Sequence, residues 1–476
     1  METIIQQITL QFVKKYLEHF EQKGLYELGQ MASDSLDMSK ALSKELITAF
    51  IEHADKQLVE AKKERKSDGI TIHEREVTRS IYTSLGEISF ARTYFQTPEG
   101  PDYLLDQILG IKAYERVDTH ISAKMVNAAA EASFGKSAKL ATEGKLSRQT
   151  AWRKTAEVGE VAILPLREKE TPKALHIFAD EDHVNLQSGS NTILPLITVC
   201  KGKRKVCKGR HELLDPVHIN GYGLTPEKRW EYVYSLCASK YDMEKVEEIY
   251  IYGDAAAWIE SANTCFPTAI YVMDAYHFRK TMKILTAGTI CSNYSQRLYS
   301  GVKYNKKKKV QIALEEMIEN LLELMPEGKA KENKIQAIAD AGVYILNYWK
   351  AIQNMKLPGT IGSATEALVS HIFSERFSRN PMGWSKKGLQ KLSMVRIFVK
   401  NGGKVLPVDI GKGKQDVKER IPKTQVCKYE ELVKKQQEEI FSESKNWRWF
   451  EHETLTVSPS GTKVSLDSLG KRRRIA

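Results

Sequence analysis

Three short runs of the chain each close on an aspartate. They are Leu-His-Ile-Phe-Ala-Asp at 175–180, Ile-Tyr-Ile-Tyr-Gly-Asp at 249–254 and Ala-Ile-Tyr-Val-Met-Asp at 269–274. Each is rich in β-branched and aromatic residues, the composition of a strand. Neighbouring strands that finish at one sheet edge bring such acids together. Clustered carboxylates repel one another unless a cation neutralises them. Hard divalent ions, Mg²⁺ or Mn²⁺, take oxygen ligands of this kind. The expectation is therefore a divalent-metal site built on a sheet.

Around these runs the chain alternates between two periodicities. Residues 1–66 read as a helical arm: Ile4, Ile5, Ile8, Phe12, Tyr16 and Phe20 recur at three- and four-residue steps, which suits packing or self-association. Residues 67–160 begin with a small β element, in which 70–72 and 88–95 alternate and Gly86 breaks the run. The same region continues into helix, where 140–153 has the spacing of a helix-turn-helix. Ala141 permits a close crossing, Gly144 sits near the turn, Leu146 plugs the space between helices, and Ser147 caps the second helix. Arg148, Gln149 and Arg153 are then left, with Ser147, on a DNA-facing side. An ordinary helical hairpin has the same pattern.

A linker is expected at 160–173. Residues 174–275 then read as strands at 174–187, 192–199 and 204–214, a helix at 226–240, a strand at 248–253, a helix from Ala255 and a strand at 268–273. Residues 276–357 are helical throughout and carry the lysine run 306–309, a solvated face or a phosphate contact. Residues 358–405 hold a helix at 364–377 with Glu366 near its start. Residues 406–476 form a basic C-terminal region ending in a loose tail at 470–476.

Three antiparallel strands followed by helix, strand, helix and strand is the order of a ribonuclease H-like fold, here an α/β domain with an all-helical insertion and a mainly helical N-terminal region. Such a sheet takes one acid from its first strand, one from the end of its fourth and one from a helix packed across it. Asp180, Asp254 and Glu366 have those places. They are the expected catalytic and metal-binding set, with two ions per site about 4 Å apart for phosphodiester cleavage. Asp182 shares the face of Asp180 and is a further ligand or a neighbour of the ligands; Glu181 faces the other way. Any one of these acids alone reads best as a strand-end cap or salt-bridge partner; three in this order do not. Asp274 and His277 are auxiliary candidates, the histidine for a phosphate or a water. Trp258 and Trp384 either stack on an unpaired base or fill the core.

The 476 residues include 72 Lys and Arg against 60 Asp and Glu, a formal charge of +12 that suits a polyanionic partner. Six cysteines stand without a Cys-x-x-Cys pair, which argues against a zinc site of the usual spacing and for a reducing compartment. No signal-peptide pattern and no membrane-length apolar run is seen, so a cytoplasmic protein is expected.

Several blocks resemble those of the ISLre-type bacterial insertion-sequence transposases, long catalogued as an uncharacterised protein family. They are Ala-Asp-Glu-Asp-His at 179–183, Gly-Asp-Ala-Ala-Ala-Trp-Ile at 253–259, Met-Asp-Ala-Tyr-His at 273–277, Ala-Thr-Glu-Ala-Leu-Val-Ser-His at 364–371 and Arg-Asn-Pro-Met-Gly-Trp-Ser at 379–385. The resemblance spans most of the chain, including 103–110. It implies a DDE transposase that binds the terminal inverted repeats of its element, cuts its 3′ ends and joins them to target DNA. It also implies Mg²⁺ or Mn²⁺, double-stranded DNA as partner, a homodimer or larger assembly, and a bacterial, nucleoid-associated setting. Glu366 is preferred to Glu375 because it stands in the matching block. Asp274-x-x-His277 resembles the Cys-x-x-His element of related transposases. The rival expectations are a catalytically silent, domesticated transposase that only binds DNA, and a nuclease acting on branched DNA.

Overall fold

The apolar steps at Ile5, Ile8, Phe12, Tyr16 and Phe20 form one face of a helix, Glu2–Lys23, which folds back on a second helix, Leu28–Glu60. The computed structural model describes residues 2–160, 169–380, 382–411, 422–443, 454–456 and 463–465. Residues 161–168 of the expected linker, Pro381 and the 470–476 tail lie outside them. The described residues divide into two compact units, one from 1–123 with 414–476 and the other from 124–413. The division runs through the expected 67–160 region: its β element is in the first unit and its helical hairpin in the second.

In the first unit a single carboxylate ties the two long helices together. Asp34 accepts from His19 (3.0 Å), Lys23 (2.8 Å) and Tyr26 (2.9 Å) at one oxygen and from Gln30 (2.7 Å) at the other. An antiparallel sheet follows, of β1 (Thr71–Thr83), β2 (Gly86–Thr97) and β3 (Gly100–Asp102), with Gly86 at φ 94° in the tight turn. Leu58, Ile70, Phe90, Phe95 and Leu104 form its core, closed by Tyr429 and Val433 of the helix Lys423–Glu443. Lys428 and Tyr429 both donate to Asp68.

The second unit is built on a five-stranded mixed sheet. Its strands are β4 (Ala174–Asn185), β5 (Asn191–Cys200), β8 (Val217–Asn220), β9 (Glu248–Gly253) and β10 (Ile270–Met273). Their order is β10-β9-β4-β5-β8. The pairs β4/β5 and β5/β8 are antiparallel; β4/β9 and β9/β10 are parallel. Both faces are covered. Leu175, Ile177 and Ala179 face Trp230 and Val233 of the helix Pro226–Lys240, which starts on a Thr225 cap and a first-turn proline. The other face of the sheet packs against residues near 355–377.

The expected third strand at 204–214 is not in this sheet. Residues 203–213 form a separate two-stranded ribbon, β6 (Lys203–Cys207) and β7 (Arg210–Leu213), and the third strand is β8. The physical reason is burial. Lys203, Arg204, Lys205 and Arg210 are exposed, whereas Val217, His218 and Ile219 are buried. A run of cations does not enter a covered sheet without a heavy desolvation cost.

From Ala275 to Asn354 the chain is helical, with its own core around Leu298, Val310, Leu314, Ile338 and Ile345. Among the described residues no helix is long and apolar enough to cross a membrane.

Candidate active site

Strand register assembles the acids. Phe178 on β4 pairs in parallel with Tyr252 on β9, so Asp180 and Asp254, each two residues further on, lie at the same level. Met273 pairs with Gly253, which sets Asp274 beside Asp254. The Asp274 amide donates to the Gly253 carbonyl (2.8 Å). Immediately after Asp254 the chain turns through Ala255 at φ 74°, a left-handed conformation that a residue with a Cβ adopts only when held. Three tyrosine hydroxyls hold it. Tyr271 accepts from the Ala255 amide (2.8 Å), Tyr344 donates to the Asp254 carbonyl (2.8 Å) and Tyr348 to the Ala255 carbonyl (3.4 Å). Tyr344 and Tyr348 come from the helical insertion, which thereby fixes the turn that carries Asp254.

Asp180, His277 and Glu366 each offer one ligand atom, and these atoms lie within 4.8 Å of one another. Asp254 adjoins them through His277, whose Nδ1 is 3.8 Å from the Asp254 carboxylate. Asp180 is 6% exposed. Burial, reinforced by the charges of Asp254, Asp274 and Glu366, pushes its carboxyl up to about 7; the Glu181 amide, donating at 2.8 Å, opposes the rise. Two carboxylates and an imidazole about one point, with a third carboxylate at their edge, fit a hard divalent cation, because it would relieve the repulsion that the neighbouring acids impose on buried Asp180. The structure thus brings together Asp180 and Glu366 with His277, and sets Asp254 at their edge. His277 is closer to the centre of this group than an auxiliary role implies.

Asp274 is not in the ligand group. It is fully buried and its carboxylate is a joint. One oxygen accepts the Tyr276 (2.9 Å) and His277 (3.0 Å) amides, capping the helix Ala275–Thr286 that presents His277. The other accepts the Ser363 and Thr365 hydroxyls, at the start of the helix that carries Glu366. Asp182 is turned the same way: one oxygen accepts Ser374 (3.1 Å) and Ser378 (2.9 Å), while the other is buried without a partner.

The helix bearing Glu366 runs from Thr365 to Phe377 with a π-helical stretch at Ser370–Ser374. Such a stretch leaves carbonyls without their usual helical donors. Buried Arg396 supplies donors, to the Ile372 carbonyl and to the His371 carbonyl at 2.8 Å. Glu375 faces away from the cluster, bonded to His371 (3.0 Å) and near Arg379 and Arg396. That leaves Glu366 as the acid at the site.

Trp258 and Trp384 are core residues. The Trp258 indole donates to Glu181 (2.7 Å) and its ring lies beside Trp230 and Arg229; the Trp384 indole donates to the Phe377 carbonyl (3.0 Å). Neither is free to stack on a base. The hairpin of Phe134–Thr142 and Arg148–Ala156 turns through Glu143 and Gly144, both at positive φ, with Ala141 buried and Ser147 accepting the Thr150 amide (3.3 Å). Arg148, Gln149 and Arg153 are all exposed.

Ser363, Thr365, Ser374, Ser378, Tyr344 and Arg396 escaped the reading of the sequence. Arg396 alone had a signal there, as a cation within the apolar helical pattern Leu389, Leu392, Val395, Ile397.

The model of the uncharacterised protein family UPF0236 matches residues 23–414. Three UPF0236 proteins of Caldanaerobacter subterraneus subsp. tengcongensis are similar along most of their length. One is 33% identical over 420 residues, 87% of this chain and 87% of its own. The others are 32% identical over 421 residues, 87% of this chain and 87% or 82% of theirs. With a family match of this extent and relatives of this identity, the chain belongs to the UPF0236 family.

Proposed function

We propose that this protein is a DDE transposase of the ISLre type, binding the terminal inverted repeats of an insertion sequence and catalysing DNA strand cleavage and strand transfer. The observation that carries the reading is the convergence of Asp180, Glu366 and His277 within 4.8 Å, with Asp254 adjoining, on strands in the order β10-β9-β4-β5-β8. That order, with its pattern of parallel and antiparallel pairs, is the one a ribonuclease H-like sheet has. The names of two of the relatives add support: one strings together eleven locus designations of a single organism, the other four. Several loci under one protein name in one genome are what a mobile element leaves behind.

Asp180, Asp254 and Glu366 would hold Mg²⁺ or Mn²⁺, two ions per site, with His277 beside them. Such ions lower the pKa of an attacking water or 3′-hydroxyl and stabilise the leaving oxygen. The chain's own residues do the positioning. Asp274 sets the His277 helix and the Glu366 helix relative to each other. Asp182 and Arg396 lock the Glu366 helix against β4 and the helix Lys386–Lys400. Arg148, Gln149 and Arg153 form the face that reads the repeat, and the +12 charge draws the duplex in. Two ends must be joined, so the working form is a homodimer or larger assembly on DNA, in the bacterial cytoplasm. A silent, DNA-binding descendant is disfavoured, since Asp180 buried beside other acids is a standing cost when no cation uses it.

An end-cleavage assay tests this. Protein is mixed with labelled DNA carrying the element's boundary, with Mg²⁺, Mn²⁺ or chelator. Nicking at the boundary is expected, and it should vanish with chelator and in Asp180→Ala and Asp254→Asn. Binding without cutting, equal in all variants, refutes the enzyme reading.

A further inference from the structure

The ribbon β6–β7 has no role in the acid cluster and little in the fold. Residues 201–215 carry Lys201, Lys203, Arg204, Lys205, Lys208 and Arg210 against Glu212 and Asp215. All of β6 is exposed, and so are Arg210, His211 and Glu212 of β7. An isolated pair of strands is marginal in water. This one is anchored only at its base, where Leu213 packs with the cluster around Phe178 and Tyr252 and the Lys203 ammonium donates to the Ile361 carbonyl.

Pairing separates the cations into two sets. Arg204 bonds Glu212, and Lys201 bridges Glu170 and Asp215 (3.4 Å). Among the described residues, Lys205, Lys208 and Arg210 at the distal end have no ion-pair partner. Three unpaired like charges on a ribbon that buries almost nothing repel each other and stabilise no core. They fit an anionic partner spread over a length. A two-stranded ribbon is also one of the two elements that the major groove of duplex DNA admits. The base of the ribbon reaches Ile361, two residues before the Ser363 that bonds Asp274, so the ribbon springs from the segment leading to Glu366.

We infer that β6–β7 is a DNA-binding arm, in which Lys205, Lys208 and Arg210 take backbone phosphates of a duplex engaged by the same unit that holds the acid cluster. The partner rests on the transposase reading; the exposed, unpaired ribbon does not.

The test uses the full chain in chelator, which allows binding without cutting. Anisotropy of a labelled duplex of unrelated sequence is followed against salt, for the wild type and for Lys205→Gln/Lys208→Gln/Arg210→Gln. Removing one cation from a phosphate makes the slope of log affinity against log salt shallower by about 0.9. The triple variant should therefore be shallower by about 2 to 3 and weaker by at least about tenfold at low salt. Its melting temperature should stay at the wild-type value, because the three side chains are exposed. Equal slope and affinity overturn the arm while leaving the transposase reading intact. A wild type that binds no duplex overturns both. Loss confined to single-stranded oligonucleotide overturns the assignment to duplex. Independently, the exposed Cys207 thiol on β6 should displace the small thiol from a duplex bearing a tethered mixed disulfide, leaving a protein–DNA disulfide, and Cys207→Ser should abolish that adduct. Absence of an adduct at Cys207 also counts against the arm.

Discussion

Replacing Asp180 with Asn should stabilise the metal-free protein while destroying its response to divalent ions. In the folded chain the Asp180 carboxyl is raised from its ordinary 3.8 to about 7 by burial and by Asp254, Asp274 and Glu366. A displacement of that size makes the ionised folded form roughly 4 kcal/mol less favourable at pH 8 than an unperturbed carboxylate would be. The sign follows from linkage. A carboxyl with a raised folded pKa binds its proton more tightly when folded, so stability is lost as pH climbs from about 4 to beyond 7. Asparagine keeps the shape and keeps an oxygen for the Glu181 amide, now at 2.8 Å, but carries no charge. Of the roughly 4 kcal/mol, about 2 should be recovered, equivalent to roughly 3 °C in melting temperature for a unit of this size. The assay is thermal or urea unfolding in chelator at pH 5 and pH 8, repeated with excess Mg²⁺ or Mn²⁺. At a hundredfold excess over its dissociation constant an ion adds about 2.7 kcal/mol to the wild type. The Asn variant should gain little. If Asp180→Asn is no more stable than wild type in chelator at pH 8, or if the ions stabilise both proteins equally, the reading of these acids as a preassembled cation site is wrong.

Other perturbations probe the supports. Asp274→Ala should cost about 3 kcal/mol, since it removes a helix cap and the acceptor of two hydroxyls, whereas Asp274→Asn should cost nearer 1; urea denaturation separates them, and an Ala variant within about 0.5 kcal/mol of wild type refutes the joint. Arg396→Met leaves the His371 and Ile372 carbonyls without these donors and should destabilise by about 2–3 kcal/mol, with faster amide exchange along 369–377 as its signature. Arg153→Ala should weaken binding to the element's own end more than to unrelated duplex, by about 1–3 kcal/mol if it reads a base edge; equal losses on both mark it as a phosphate ligand. The Asp34 carboxylate is held below the usual range by Lys23, Gln30, Tyr26 and His19. Its tie between the first two helices should persist at neutral pH and fail as pH falls through that lowered value, and Asp34→Asn should abolish this acid dependence of their amide protection.

Local pattern was enough for the elements whose side chains advertise their surroundings. The helix at 226–240 and the strand at 248–253 are observed at those bounds, because a threonine-proline start and a run of β-branched residues constrain the backbone by themselves. The run 204–214 has strand propensity but forms a separate ribbon and not the sheet's third strand: propensity is local, whereas which strand fills the third position depends on which can be desolvated.

From the sequence by itself came Asp254 and Asp274 just past their strands, Asp180 on a strand that in fact continues to Asn185, the Ser147 cap with its exposed arginines, and the long helical interval before Glu366. These depend on spacing along one chain, which a sequence records. Only the tertiary structure decided that His277 joins Asp180 and Glu366, and that Asp274 and Asp182 serve as joints. Each of those outcomes turns on which hydroxyl, amide or guanidinium from a distant segment reaches a buried carboxylate first. A carboxylate deprived of water takes whatever donors packing delivers, and that choice is made between segments, beyond what any one of them specifies.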